Sequence, residues 1–413
     1  MQRDPFEYPR LRWPIEMRMD HVQGKPALVL RCPLGISDRP LVLLSAVIPV
    51  LNSFNGASSV PEIAARFEKQ GLKEKAVRDL VQVLESHLFL DSPAYAEAER
   101  RVREEFQKAV VRPAALSGTA YAADKDALAK EVDRHLSGAS TDESIFRGDL
   151  LGLIAPHIDY RRGGRAYGRT YAALRNQKHD LYVVLGTSHQ HSRHMFHLTT
   201  KNFDSPFGEF KCEREFVDKL ARLHGNERSF ADEVLHRREH TIELQLPFLG
   251  RLKGAVRIVP VLVGAVGADL VSGKLPGDNE EYCSFAAALA SCVKEWQGRG
   301  RKVCIIAGVD MAHVGRAFGD QGALNQQLMA EVAKRDLSYL DLIKAQDSKG
   351  LVAHIALDRD SRRVCGFPAV YTFIDLFDRL SIRYEARVFS YDQAIDTQTD
   401  CAVTYGGVGI YRN

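Results

Sequence analysis

Leu150-Leu151-Gly152-Leu153-Ile154-Ala155-Pro156-His157-Ile158-Asp159-Tyr160-Arg161-Arg162-Gly163-Gly164 sets a short apolar run directly against a polar, histidine-bearing one. An apolar run of this length bounded by turn residues predicts a buried strand, and the polar residues after it then stand at the strand's end. The arrangement recurs. Residues 181–185 precede Gly186-Thr187-Ser188-His189-Gln190-His191-Ser192, and residues 303–307 precede Gly308-Val309-Asp310-Met311-Ala312-His313. Further strands are expected at residues 256–263, 386–390 and 402–405. Helices are expected at 164–174, 214–223, 242–249, 281–296, 323–334, 339–345 and 370–379. Strands alternating with helices predict an α/β domain with a central, largely buried sheet flanked by helices, in which sites gather beyond the strand ends.

The polar clusters name the chemistry. His157 can ligate a metal through neutral imidazole, and Asp159 can orient a neighbour or join the coordination sphere. Ser188 and His189 repeat the placement; His189 is preferred to His191 because it lies nearer the strand end. In His236-Arg237-Arg238-Glu239-His240-Thr241-Ile242-Glu243-Leu244-Gln245-Leu246-Pro247-Phe248 a helix is expected to begin near Glu239. Glu239 and Glu243 would then lie one turn apart, with His240 at the helix mouth facing the pocket. No second histidine stands four residues on, which argues against a zinc protease. Asp310 and His313 sit at another strand end. Cys365, before the helix expected at 370–379, offers a thiol near a helix N-terminus. If three or four histidines and a carboxylate converge, they suit a divalent metal such as Fe(II), Zn(II) or Cu(II).

A chain of 413 residues exceeds what one core normally organises, so two domains are expected. A hydrophobic share of 45% with 26% charged residues is the balance of a soluble globular protein. The amino-terminal part reads as a strand at 27–32, an apolar helix at 40–54, and a second helix capped at Ser58-Ser59. A third helix follows at 73–87, with Val77, Leu80, Val81, Val83 and Leu84 on one face, and then a short wing, Leu88-Phe89-Leu90. This order predicts a small winged-helix domain over residues 1–110 that resembles the PqqD-like peptide-recognition domains, so a peptide is an expected ligand there. Glu74, Asp79 and Glu85 interrupt any basic face on its third helix, and the formal charge of the chain is only +3, so no nucleic acid is expected. Residues 95–111 read as a charged, solvated helix, residues 111–148 as a linker and helix, and residues 149–413 as the α/β domain. The early acids of Met1-Gln2-Arg3-Asp4-Pro5-Phe6-Glu7 predict neither a signal peptide nor a membrane span, hence a cytoplasmic protein. Seven cysteines without a CxxC pair argue against an all-cysteine zinc or iron–sulfur site.

The order of motifs, His157 with Tyr160, Ser188-His189, Glu239-His240 through Pro247, Asp310 with His313, and Cys365-Gly366, resembles the Memo family, which includes AmmeMemoRadiSam system protein B. The resemblance spans residues 149–413. It implies a fold similar to the class III extradiol dioxygenases and a histidine-lined pocket for iron or copper associated with redox chemistry. His157 and His189 are then the best metal ligands, with His240 and His313 nearby; Tyr160, Ser188, Asp159 and Cys365 are further pocket candidates. Two departures stand out. Some relatives carry a cysteine ligand where this chain has Ala312, so His313 or Asp310 is expected to complete the metal set. Relatives commonly have glycine in place of Asp159, whose carboxylate would harden the site toward Fe(II) or Zn(II) and away from Cu(I).

The leading expectation is an iron-dependent oxidoreductase in which His240, Asp310 and Glu239 serve catalysis, with His240 or Asp310 moving protons. The first alternative is a non-catalytic scaffold that recruits a peptide. The family's system name implies a radical SAM enzyme and an AMMECR-type protein as its partners. The second alternative is a zinc hydrolase.

Overall fold

The computed structural model describes residues 4–22, 24–37, 39–139, 143–190, 192–265 and 274–413. His191 therefore lies outside the described residues. The chain divides into two compact units, Met1–Ala109 and Val110–Asn413.

The amino-terminal unit opens with an antiparallel sheet of β1 (Glu16–Val22), β2 (Lys25–Arg31) and β3 (Leu41–Leu44), in that order. Its helices are α1 (Ile48–Leu51), α2 (Val60–Arg66), α3 (Glu74–Ser86) and α4 (Pro93–Lys108). Ser59 caps α2 in a reciprocal box with Glu62, which satisfies two backbone donors at the helix start. Val77, Val81 and Leu84 of α3 pack on Leu28, Leu30 and Leu41 of the sheet in one core. Two expectations are corrected. Residues 40–54 do not form one helix. Leu41–Leu44 pairs with β2, and satisfying that strand's free edge outweighs the helix propensity of an apolar run. The wing reduces to an isolated bridge between Leu90 and Leu11, so the sheet of this unit precedes its helices.

The larger unit runs β4 (Val111–Arg112), α5 (Lys125–Ser137), β5 (Leu150–Ala155), α6 (Tyr160–Tyr171), β6 (Leu181–Thr187), β7 (Phe196–Leu198), β8 (Asn202–Phe203), β9 (Lys211–Cys212). It continues α7 (Arg214–His224), α8 (Asn226–Phe230), α9 (Leu246–Lys253), β10 (Arg257–Val263), α10 (Glu280–Gly298), β11 (Val303–Gly308), β12 (His313–Val314). It closes α11 (Gln326–Lys344), α12 (Ser348–Leu357), α13 (Phe367–Arg379), β13 (Tyr384–Asp396), β14 (Cys401–Arg412). Residues 111–148 thus form part of this unit.

Among the described residues a nine-stranded mixed sheet has the central order β5-β11-β6-β10, all parallel, with β14, β12, β13, β7 and β9 at its sides. The four central strands are almost wholly buried. That is why they read as continuous apolar runs: helices cover both faces of a parallel sheet. Leu289 and Val293 of α10, Phe216 and Leu220 of α7, and Phe373 and Phe377 of α13 share one core with Val183, Val259 and Ile305 of the strands. A second aromatic cluster, Tyr160, Tyr167 and Tyr171 of α6 with Phe248 of α9, forms a separate packing unit. Gly308 is in register with Ala155 and Gly186, and Val263 with Thr187, so all four central strands end on one edge.

Candidate metal centre

Parallel pairing sets His157, His189 and Asp310 side by side, each two residues beyond its strand's end. The segment Glu239–Gln245 lies across those ends. It fits because two of the strands carry glycine there. A Cβ at Gly186 would stand 2.5 Å from Thr241 Oγ1, and one at Gly308 would stand 2.7 Å from the Thr241 carbonyl and 2.8 Å from Gln245 Nε2. Thr241 Oγ1 donates to the Thr187 carbonyl at 2.9 Å, and Gln245 Nε2 to the Pro156 carbonyl at 2.9 Å. Nothing local in the sequence singles out Gln245 or Thr241 beyond their place in the Glu239–Phe248 motif.

The imidazoles are oriented by their Nδ1 atoms. His157, buried, sets Nδ1 at 3.0 Å from the Gly308 carbonyl, so Nδ1 carries the proton and Nε2 presents its lone pair. Cys365 Sγ lies 3.4 Å from that Nε2. His189 sets Nδ1 at 3.1 and 3.2 Å from the two Glu239 oxygens, and His240 sets Nδ1 at 2.9 Å from Glu239 Oε1. The Glu239 carboxylate also accepts the backbone N–H of His189 at 2.9 Å, of His240 at 2.8 Å and of Thr241 at 3.4 Å. One buried carboxylate thus fixes two imidazole rings whose centroids are 4.8 Å apart. Asp310, buried, accepts the His157 N–H at 2.9 Å, and its second oxygen lies 3.7 Å from His157 Nε2.

Among the described residues two groups have donor atoms within 4.8 Å of one another: His157, His189 and Cys365; and His189, Glu239 and His240. Beside the first lies a cavity of about 660 Å³, lined by Ser188, His189, Val263, Asp360, Val364, Cys365 and Phe367 among others.

The electrostatics follow from these contacts. Burial, with His189 and His240 beside it, drives the His157 imidazole well below its ordinary value, so it is neutral. The protein around His189 opposes its charge, yet the Glu239 carboxylate overrides this and holds its proton well above the ordinary range. Glu239 is held well below its own range: burial works against its charge, and His189 and His240 more than compensate. Burial lifts Asp310 to about 7 and raises the Cys365 thiol.

Several expected site residues are placed elsewhere. His313, on β12, turns Nδ1 to the carbonyls of Met311 and Arg363, each at 3.2 Å, and belongs to neither donor group. Asp159 is the N-cap of α6 and binds the Arg162 backbone N–H at 3.2 Å and its Nε at 2.6 Å. Its carboxylate is committed to the helix start, as short polar side chains at that position usually are. Tyr160 is fully buried, donating to the Leu244 carbonyl at 2.5 Å. Where Ala312 offers no sulfur, Cys365, just before α13, places one in the first donor group. No helix begins at Glu239; α9 starts at Leu246, and Glu243 turns away from Glu239 to a buried ion pair with Arg112.

Comparison with known proteins agrees with the motif order. A protein 24% identical over 386 residues, 93% of this chain and 96% of its own length, is a "MEMO1 family protein" of Aquifex aeolicus. One from Methanosarcina barkeri is 26% identical over 301 residues, 73% of this chain and 99% of its own, and carries the same family name. One from Methanococcoides burtonii is 28% identical over 204 residues, 49% of this chain and 68% of its own. The Memo-like protein family matches residues 112–409, and the chain belongs to that family.

Proposed function

We propose that His157 Nε2, His189 Nε2 and Cys365 Sγ hold one transition-metal ion, and that the protein is a metal-dependent oxidoreductase acting on a small molecule in the adjoining cavity. The observation that carries this reading is the pairing of three convergent donors with two imidazoles whose other nitrogens are already engaged. That is how metal-binding histidines are usually prepared. The donor set fits: two imidazoles and a thiolate suit iron, copper or zinc. With Asp159 outside the site, the hard-carboxylate argument for Fe(II) over Cu(I) no longer applies. Fe(II) stays the first ion to test because it leaves coordination positions open. Held by His157, His189 and Cys365, a metal would supply redox and Lewis-acid chemistry. The chain's own groups do the rest. Glu239 keeps the His189 ring in place. Asp310, lifted to about 7, holds or gives up a proton near neutrality, and His240, its Nδ1 set on Glu239, stands on the same edge.

The test is oxygen uptake by Fe(II)-loaded protein over a panel of small reductants. Turnover lost in His157→Ala and slowed in His240→Gln supports the reading. Hydrolysis by Zn(II)-loaded protein with no oxygen uptake moves it to a hydrolase. A second proposal, peptide recruitment by the amino-terminal unit, is favoured by β1, which pairs along all its residues with β2 and, among the described residues, lies at the sheet's edge, open to strand addition. In this reading the larger unit docks partner proteins, and a radical SAM enzyme and an AMMECR-type protein are the ones to try.

A further inference from the structure

Arg112 is fully buried, 127 residues before the histidine pair's carboxylate in sequence, yet bonded to the same segment. Its Nε donates to the His236 carbonyl at 2.9 Å, and its terminal nitrogens to the Pro113 carbonyl at 2.9 Å and the Glu239 carbonyl at 2.8 Å. It is also ion-paired to Glu243, itself buried. Glu243 in turn accepts the backbone N–H groups of Ala115 at 3.0 Å and Leu116 at 2.8 Å and the Tyr121 hydroxyl at 2.6 Å. The strap that carries Arg112 is pinned independently: β4 pairs with β8, and the guanidinium lies over the Phe203 ring, 5.3 Å from its centroid.

A buried ion pair is weak as a source of stability, because desolvation opposes it. It is strong as a device for fixing geometry, because a guanidinium has a rigid fork of donors. Here the fork spans both sides of the turn that presents Glu239. A carbonyl at 236 and a carbonyl at 239 bind one planar group, and Glu243 closes the far side. The Glu239 side chain leaves from a backbone unit whose carbonyl Arg112 holds, and that side chain orients His189 and His240.

We infer that Arg112 is a positioning residue for the metal and proton site, acting through Glu239 although it touches neither imidazole. The inference deepens the proposed function and rests on it where metal affinity is concerned. The alignment of the two imidazoles does not require metal.

The experiment has two readouts on Arg112→Lys and Arg112→Met. The first uses metal-free protein: the imidazole Nδ1–H resonances of His189 and His240, assigned by their loss in Glu239→Gln, and their exchange with solvent. The second is Co(II) affinity by titration. Both variants are expected to lose or broaden the two resonances and to bind Co(II) roughly 10- to 100-fold more weakly, the range typical when groups behind a ligand are altered. Phe216→Leu, which loosens the contact of α7 with Trp296, serves as a control for general destabilisation. If Arg112→Met does not fold, Arg112→Met/Glu243→Gln removes both buried charges together and carries the same test. Resonances and affinity that match wild type, or that match the control at equal thermal stability, overturn the inference. Disturbed resonances in a protein whose wild type binds no Co(II) uphold Arg112 as the positioning residue while overturning the metal reading.

Discussion

Glu239→Gln is the substitution from which the geometry predicts most. Gln keeps the size of the side chain and one acceptor, but it removes the charge and turns an NH₂ toward groups that donate. Glu239 makes two kinds of bond to His189, one to its backbone N–H and one to Nδ1. A hydrogen bond to a charged group contributes roughly 1.5–3 kcal/mol and a neutral one about 0.5–1.5 kcal/mol. Losing the charge on both therefore weakens the hold on His189 by about 2–3 kcal/mol. If that hold is what pre-orients the ligand, metal affinity falls by roughly 30- to 150-fold. The assay is a competition titration with a chromophoric chelator. It is run where affinity no longer changes with pH, because Glu239 also strengthens the competing proton on His189. A folded Glu239→Gln protein with wild-type metal affinity would refute the reasoning, since it would leave the carboxylate no orienting role.

Three further outcomes follow from the same contacts. Asp159→Ala should cost about 1 kcal/mol through loss of the α6 cap and leave metal affinity unchanged; a large fall in affinity in a calorimetric titration would return Asp159 to the site. Gly308→Ala should cost about 1–3 kcal/mol and weaken metal binding, because the new Cβ has to displace the Thr241 carbonyl; thermal melts and titration that match wild type would deny that the segment is seated on the strand end. The pH dependences should have opposite signs. In metal-free protein the proton on His189 is held above its ordinary 6.5, so its stabilisation is complete below that value and is lost as pH rises through the raised one. Glu239, held below its ordinary 4.5, gives up its share only as pH falls through the lowered value. Metal must displace the His189 proton, so affinity should rise with pH over the range in which metal-free stability, measured against Glu239→Gln, declines. Affinity that falls with pH there would contradict this.

Much of the sheet was legible because burial on both faces leaves an unbroken apolar run. Residues 150–155 were read to the residue, and the strands at 181, 257 and 303 to within a few. The placement of His157, His189 and Asp310 followed, since each comes directly after its strand. What the sequence hid depends on distant partners. The apolar spacing after Glu239 fits a helix, but Arg112 and the two glycine-edged strands hold Glu239–Ile242 out of it, and a 3-10 turn at Glu243–Gln245 leads into α9 at Leu246. His313 has the same kind of address as His157 and likewise sets Nδ1 on backbone carbonyls; what separates the two is that β12 holds His313 against β14, in neither donor group. Cys365 stands beside His157 although 208 residues separate them, a proximity no local pattern contains. The helix Ser348–Leu357 was missed because Leu351, Val352 and Ile355 are covered without a clear alternation of apolar and polar faces to announce it.

The measurement closest to the central claim is metal binding by anaerobically prepared protein, compared across wild type, His157→Ala, Cys365→Ala and His313→Ala variants of verified fold. Wild type should hold one ion per chain, lost in the first two variants and retained in His313→Ala. Binding at wild-type affinity without Cys365, binding abolished without His313, or no binding by the wild type under any loading condition would contradict it.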